Sequence, residues 1–441
     1  MQKLFRLLGT TALGAVMATS ALAFDATQGR PFDGTTLPAL VVTSSQFQAQ
    51  EARFGRFTEE TGITVQVDYV PFANMLEALT AEMVGGQGYD VVTVMDAWVQ
   101  SMDMLLRPID EIAERGDVNL DDFPGVHRTR GYIGNELRGL PVRGHVQLLF
   151  YRTDLLAQAG VDVPTTWDEV VTASQAIRSA TGVSGIALPY GRNNGQNLMV
   201  WYNLLWGHGG DVFDAEGNPT FNSDAGVAAT EQYVGFLCND GIVPKGSASF
   251  TEQDAVNSFK QGNSAMVPVW WWVRSQLIDL AQSTVTAEQL GYASMPMVAG
   301  SAPTSYANTW IYGVTAESEH PGAAMEFLAF VTDPALEREI LLDPALNEVV
   351  SVHLSNLRDA DVNARWGGMH MAAADAAQSA PVIPFGSDLA ARRRNPGNRD
   401  VEPRVGRVDR CPRYAGPSRS AGRGAELIEG RRGPLPPAPV S

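Results

Sequence analysis

The sequence predicts an α/β protein of two domains, and three observations predict it. Between Leu40 and Met95, apolar extended runs alternate with segments of helical spacing in the order strand, helix, strand, helix, strand. Such alternation marks a sheet whose neighbouring strands are mostly parallel. Roughly 360 residues separate an N-terminal apolar segment from a compositionally distinct tail, more than a single core ordinarily serves. Beyond the N-terminus, no apolar run is long enough to cross a bilayer.

Residues 1–23 read as an export signal. Lys3 and Arg6 supply the positive region, Leu7 to Ala18 an apolar stretch, and Ala21-Leu22-Ala23 the cleavage site. No cysteine follows that site, so no lipid anchor is expected, and the periplasm is the expected compartment. Two cysteines exist, Cys238 and Cys411. An oxidising compartment would let them pair, but we expect a lone buried Cys238.

The elements follow in order. Leu40-Val-Val-Thr43 is a short strand, and Phe47 to Glu60 carries Ala49, Phe54 and Phe57 at helical spacing until Thr61-Gly62 stops it. Ile63 to Tyr69 alternates as a strand, Asn74 to Met83 is helical, and Asp90 to Met95 is a buried strand. Thr165 or Thr166 should cap a helix with acids in its first turn. Ser184 to Leu188 is extended, Leu198 to Trp206 helical, Thr251 to Lys260 helical and Ala265 to Val269 extended. Ile311 to Thr315 is a strand leading into a patterned helix, Pro321 to Val331.

Charge is unevenly spread. The stretch from Asp388 carries 12 Arg against 6 acids, which leaves −25 on Phe24 to Ser387. A body so acidic argues against nucleic acid or anionic membrane as its partner, and solubility is the plain explanation of the charge. Residues 388–441, rich in Arg, Pro and Gly without apolar periodicity, are expected to form a disordered basic tail. A shifted reading frame that replaced the native final helices would explain their composition.

A set of phrases in fixed order carries a resemblance. They are Gly88-Tyr-Asp-Val-Val92, Leu105-Leu-Arg-Pro-Ile-Asp110, Gly139-Leu-Pro141, Leu149-Phe-Tyr-Arg-Thr-Asp-Leu155 and Pro164-Thr-Thr-Trp-Asp-Glu169. Gly209-Gly-Asp-Val-Phe-Asp214, Phe259-Lys-Gln-Gly-Asn-Ser-Ala-Met266 and Pro321-Gly-Ala-Ala-Met-Glu-Phe-Leu328 complete them. The chain from Leu37 to Pro384 thereby resembles the extracellular solute-binding proteins of ABC importers, in the maltose-binding-like group that takes up sugars and polyols. That resemblance implies a two-lobed periplasmic binding protein fold with a solute cleft between lobes joined by hinge crossings. Residues 37–143 and 309–347 would form the N-terminal lobe, and 144–308 with 348–387 the C-terminal lobe. It further implies a monomer that closes on a sugar or polyol, docks on permease subunits in the inner membrane and needs no cofactor.

Ligands of open α/β sheets sit at the C-terminal ends of strands. After the first strand come Ser44, Ser45 and Gln46, suited to hydroxyls, although one serine equally caps the next helix. After the third come Asp96 and Trp98, an acceptor beside a stacking face; a capping acid and a packed ring are the alternative. Arg143 and His145 lie at the first crossing, and His145 takes a register where the resembled family often has a carboxylate. Arg143 suits vicinal hydroxyls or an anion, or else a hinge salt bridge. Tyr190 and Asn194 come from a polar loop of the second lobe. In Trp270-Trp271-Trp272, period-two alternation sends Trp270 and Trp272 one way and Trp271 the other, and at least one of the three is expected to be ordinary core. The resemblance puts Trp272 nearest the stacking position. Asn308 and Trp310 complete the set at the second crossing, whereas Trp167 and Trp366 read as structural.

Rival functions find little support. G-x-S-x-G, H-E-x-x-H and C-x-x-C are absent from the body, so an enzyme, such as a periplasmic glycoside hydrolase, is not expected. Met369-His370-Met371 offers soft ligands to copper but reads as a helix surface with two packed Met. The same fold could carry a polyamine or a glycerol phosphodiester; Arg143 and the lack of clustered acids oppose the polyamine.

Overall fold

The computed structural model describes residues 30–86, 88–191, 196–214, 218–238 and 240–381. Export segment 1–23, Asn194 and the tail 388–441 lie outside them. Ten strands are described: β1 (Thr36–Val42), β2 (Thr64–Val70), β3 (Val91–Met95), β4 (Tyr132–Ile133), β5 (Glu136–Leu137), β6 (Leu140–Arg152), β7 (Ser184–Ile186), β8 (Ser264–Trp270), β9 (Leu290–Ala293) and β10 (Ala307–Val314).

The first strands behave as their patterns predict. β1 is an almost wholly buried run that pairs in parallel with β2 and β3. β2 alternates exposed and half-buried residues because it forms the sheet edge. The segment expected as one helix from Phe47 to Glu60 is two, Ser45–Glu51 and Phe54–Thr61. Arg53 interrupts it: its guanidinium takes the Ala49 carbonyl at 2.8 Å and pairs with Glu339 and Asp343. Gly62 ends the second helix at φ +79, and a Cβ there would strike Asp33.

The sheet is mixed rather than mostly parallel. β6 is one 13-residue strand. Its first part pairs with β10 and its last with β8 and β9, all antiparallel. The strand order is β2-β1-β3-β10-β6-β8-β7. The reason is topological: β6 carries the chain out of the first half and β10 brings it back, so the two must run in opposite directions. One apolar cluster, from Leu37 to Val142 with Trp310 to Val331, fills the first half. Two more fill the second, around Phe150–Val269–Trp366 and around Trp167–Leu204–Phe236. Thr166 caps the helix Trp167–Thr181 in a box with Glu169, as expected.

A third passage, Val349 to His353, runs between the halves as buried extended chain. Buried Glu337 fastens it. Its carboxylate accepts the Val352 amide at 2.9 Å, His353 Nδ1 at 2.9 Å, Asn356 Nδ2 at 2.8 Å and the Ser351 hydroxyl. Burial opposes both charges, yet the mutual attraction wins, lowering Glu337 and raising His353. Two expectations are corrected. His370 is wholly buried against Trp366 rather than on a helix surface, and only Met371 of that trio is exposed. Cys238 is disulfide-bonded, not a lone thiol; Cys411 lies outside the described residues. Among the described residues no helix is long and apolar enough to cross a membrane.

Candidate functional site at the strand crossings

Strand register assembles the centre of the site. In the β6–β10 pair, Trp310 stands opposite Arg143 and Asn308 opposite His145. Residues two apart on a strand share a face, so these four side chains line one face of the crossing. The other face is closed: His127 bonds Thr309 Oγ1 at 2.8 Å, and a Cβ on Gly144 would meet the His127 ring. On the open face, polar atoms lack partners. Arg143 Nε, His145 Nδ1 and Asn308 Oδ1 are buried without a hydrogen bond among the described residues. Buried polar atoms usually find a partner, and here three without one share a single face of the crossing.

Asp96 follows the end of β3 and accepts the Thr309 amide. It is buried, with Oδ2 3.4 Å from Arg130 Nε. Burial pushes its carboxyl up to about 6, although Arg130 and the amides of Ala97 and Thr309 pull it back. Trp98 packs edge-on against Trp310 at 5.8 Å and stacks on exposed Phe72 at 5.8 Å. Burial with the neighbouring Arg143 and His127 drives His145 well below its ordinary range, so it is neutral. Arg143 is pulled down by burial to about 10 and stays charged.

The three tryptophans divide differently from expectation. β8 ends at Trp270 and a 3-10 turn, Trp271–Val273, begins, so strand alternation stops there. Trp270 reaches His145 edge-on at 6.0 Å. Trp271 is core, as expected of one of the three, and stacks on His145 at 5.6 Å while its indole donates to the Gly144 carbonyl at 3.0 Å. Trp272 is half-buried against the second-half core and has no ring partner among the described residues.

Other expected residues serve the frame. Ser44 caps the helix after β1, and Ser45 Oγ donates to the Glu348 carbonyl at 3.2 Å. Gln46 Nε2 donates to the carbonyls of Val142 at 3.1 Å and Val350 at 3.0 Å, and its Oε1 accepts the Val350 amide at 3.3 Å. Its amide is therefore occupied in tying the crossings together. Tyr190 stacks on Tyr233 at 4.5 Å and gives its hydroxyl proton to the Tyr233 carbonyl, away from the crossing residues. Trp167 and Trp366 are structural, as read.

Sequence reasoning missed an aromatic group beside these residues. Tyr306, just before β10, meets Trp270 at 5.6 Å and lies nearly parallel to Tyr202 at 5.6 Å and Trp206 at 6.3 Å. Tyr306 also feels Asp96 and Arg130 electrostatically, which links the rings of the second half to the polar groups of the first. The i, i+4 spacing of Tyr202 and Trp206 on the helix Leu198–Gly207 was the available signal. Glu252, buried and pushed up to about 7, accepts the Trp270 indole; nothing in its sequence context set it apart. A hollow of about 670 Å³ lies elsewhere, between Thr181–Ser184 and Gln261–Asn263. None of the expected residues lines it.

The chain is 29% identical to a probable amino-acid ABC transporter periplasmic-binding protein of Sinorhizobium fredii, over 73% of this chain and 75% of that relative. A solute-binding protein of Agrobacterium radiobacter in complex with ribitol superposes with a TM-score of 0.66 at 22% identity, covering 82% of this chain and 92% of that one. A maltose-bound T. maritima protein does so at 0.67 and 20%, covering 81% and 91%. These likenesses establish the two-lobed α/β fold. The bacterial extracellular solute-binding protein profile matches residues 42–337, most of the chain, and this protein belongs to that family of transport binding proteins.

Proposed function

We propose that this protein captures a sugar or polyol between its lobes and delivers it to the permease of an ABC importer. One observation carries the reading: aromatic rings from both halves surround buried polar atoms that have no partners, at the crossings where the lobes meet. Ring faces accept the C–H surface of a polyol, and Asp96, Asn308 and His145 take its hydroxyls. Closure would follow from the solute's higher affinity for the shut form. The protein works as a monomer in the periplasm after losing its N-terminal segment, binds no nucleic acid and performs no chemistry on its cargo. The structures of ribitol-bound and maltose-bound proteins with this fold support the solute class.

A second reading keeps the site and changes the cargo to an amino acid. Opposite charges at Asp96 and Arg143, with the similarity to the S. fredii protein, favour it. A thermal-shift panel of ribitol, mannitol, maltose, spermidine, glycerophosphodiesters and amino acids separates these. At about 100 times its dissociation constant, the true cargo adds about 2.7 kcal/mol of stability. Protection by a polyol or sugar is expected; protection by amino acids alone would overturn the first reading.

A further inference from the structure

We propose that Arg143 and His145 form an anion subsite and that the captured solute carries a carboxylate beside its hydroxyls. This rests on the sugar or polyol reading and narrows it to acidic sugars, such as aldonates and uronates.

The geometry is specific. Arg143 Nε is buried without an acceptor, and no carboxylate lies within ion-pair distance of its guanidinium among the described residues. The acids nearby are committed elsewhere. Asp96 pairs with Arg130, and Glu252 takes the Trp270 indole. Glu348 accepts the Ser275 hydroxyl at 2.7 Å and that of Ser45 at 3.4 Å, so it acts on Arg143 only across a distance. His145, two residues along on the same face, keeps Nδ1 buried and unpartnered.

Both groups are pre-aimed. Trp271, locked by its indole to Gly144, has the Arg143 guanidinium at 6.0 Å and the His145 ring stacked at 5.6 Å. A hydroxyl could fill the missing hydrogen bonds but would leave a largely desolvated cation uncompensated. A carboxylate supplies both the acceptor and the opposite charge, and the arginine fork matches its two oxygens. Burial already presses on the Arg143 charge, and an anion relieves that pressure.

The test is calorimetric titration of the full chain with matched pairs: D-gluconate against D-glucitol, and D-glucuronate against D-glucose. Glycine and L-glutamate form a third arm. We expect the acidic member of a pair to bind about 30-fold tighter or more, the scale of one charge-assisted bidentate contact. Arg143→Gln should bring the pair within about 3-fold, and Arg143→Lys should restore part of the difference by keeping the charge. The lysine variant also serves if the glutamine variant does not fold. A neutral member that binds as tightly as its acid overturns the subsite and leaves the polyol reading standing. Amino acids that bind in an Arg143-dependent way, while no polyhydroxylated solute binds, keep the subsite and overturn the polyol reading. No binding in any arm overturns both.

Discussion

Trp310 faces Arg143 across the β6–β10 pair and meets the edge of Trp98 at 5.8 Å. A strand from the second crossing, a strand from the first and the loop after β3 thus share one contact. Trp310 belongs to the apolar cluster of the first half and Trp98 packs against it, so this corner is one fixed wall of the candidate site.

Trp98 is half-buried, with Phe72 stacked on it and Trp310 against its edge. Trp98→Ala should weaken solute binding by about 3- to 10-fold, the scale of one aromatic contact, and leave the melting temperature of the free protein little changed. Titration and melting of the same preparation check both halves of the prediction.

Asp96 gives binding a pH dependence. Its buried carboxyl titrates near 6, and solute hydroxyls donating to it favour the ionised form. Affinity should therefore fall as pH drops from 7 to 5, approaching tenfold per unit below the transition. Asp96→Asn should flatten the profile, and a flat profile in the unaltered protein would remove Asp96 from the site.

The Glu337–His353 pair sets a stability window. Glu337 is lowered on folding, so its contribution is present above the unfolded value of about 4.3 and is lost as pH falls through the folded one. His353 is raised, so its contribution is full below about 6.5 and is lost as pH rises through the folded value. Stability from this pair should peak between those limits. Glu337→Ala strands a buried imidazolium and should cost about 3–5 kcal/mol, measured from urea midpoints across pH.

Gln46 distinguishes frame from site. Gln46→Leu removes three hydrogen bonds to Val142 and Val350 and leaves buried backbone groups unsatisfied. A loss of about 2–4 kcal/mol is expected from the cost of such groups, with solute affinity at a permissive temperature unchanged. A large affinity loss without destabilisation would restore Gln46 as a ligand contact.

Much of the fold was legible because its signals are local. β1, β3 and the helix Pro321–Val331 announce themselves by apolar runs and spacing, and Thr166 by its capping box. The direction of β10 was not, since a strand's orientation depends on where the chain has travelled. At the candidate site, Trp98, Arg143, His145, Trp270, Asn308 and Trp310 were readable as strand-end or crossing positions that the structure brings near one another. Tyr202, Trp206 and Tyr306 were not, because a tyrosine that lines a cleft and one that fills a core look alike in one dimension. Gln46 was misjudged for a related reason: its amide suits a hydroxyl and a backbone carbonyl equally well.

A crystal structure of the protein saturated with its cargo tests the central claim most directly. The account predicts solute density at the crossings, within hydrogen-bond reach of Asp96 and His145 and flanked by Trp310 and Trp270. Density instead in the hollow between Thr181–Ser184 and Gln261–Asn263, with the crossing residues untouched, would contradict it.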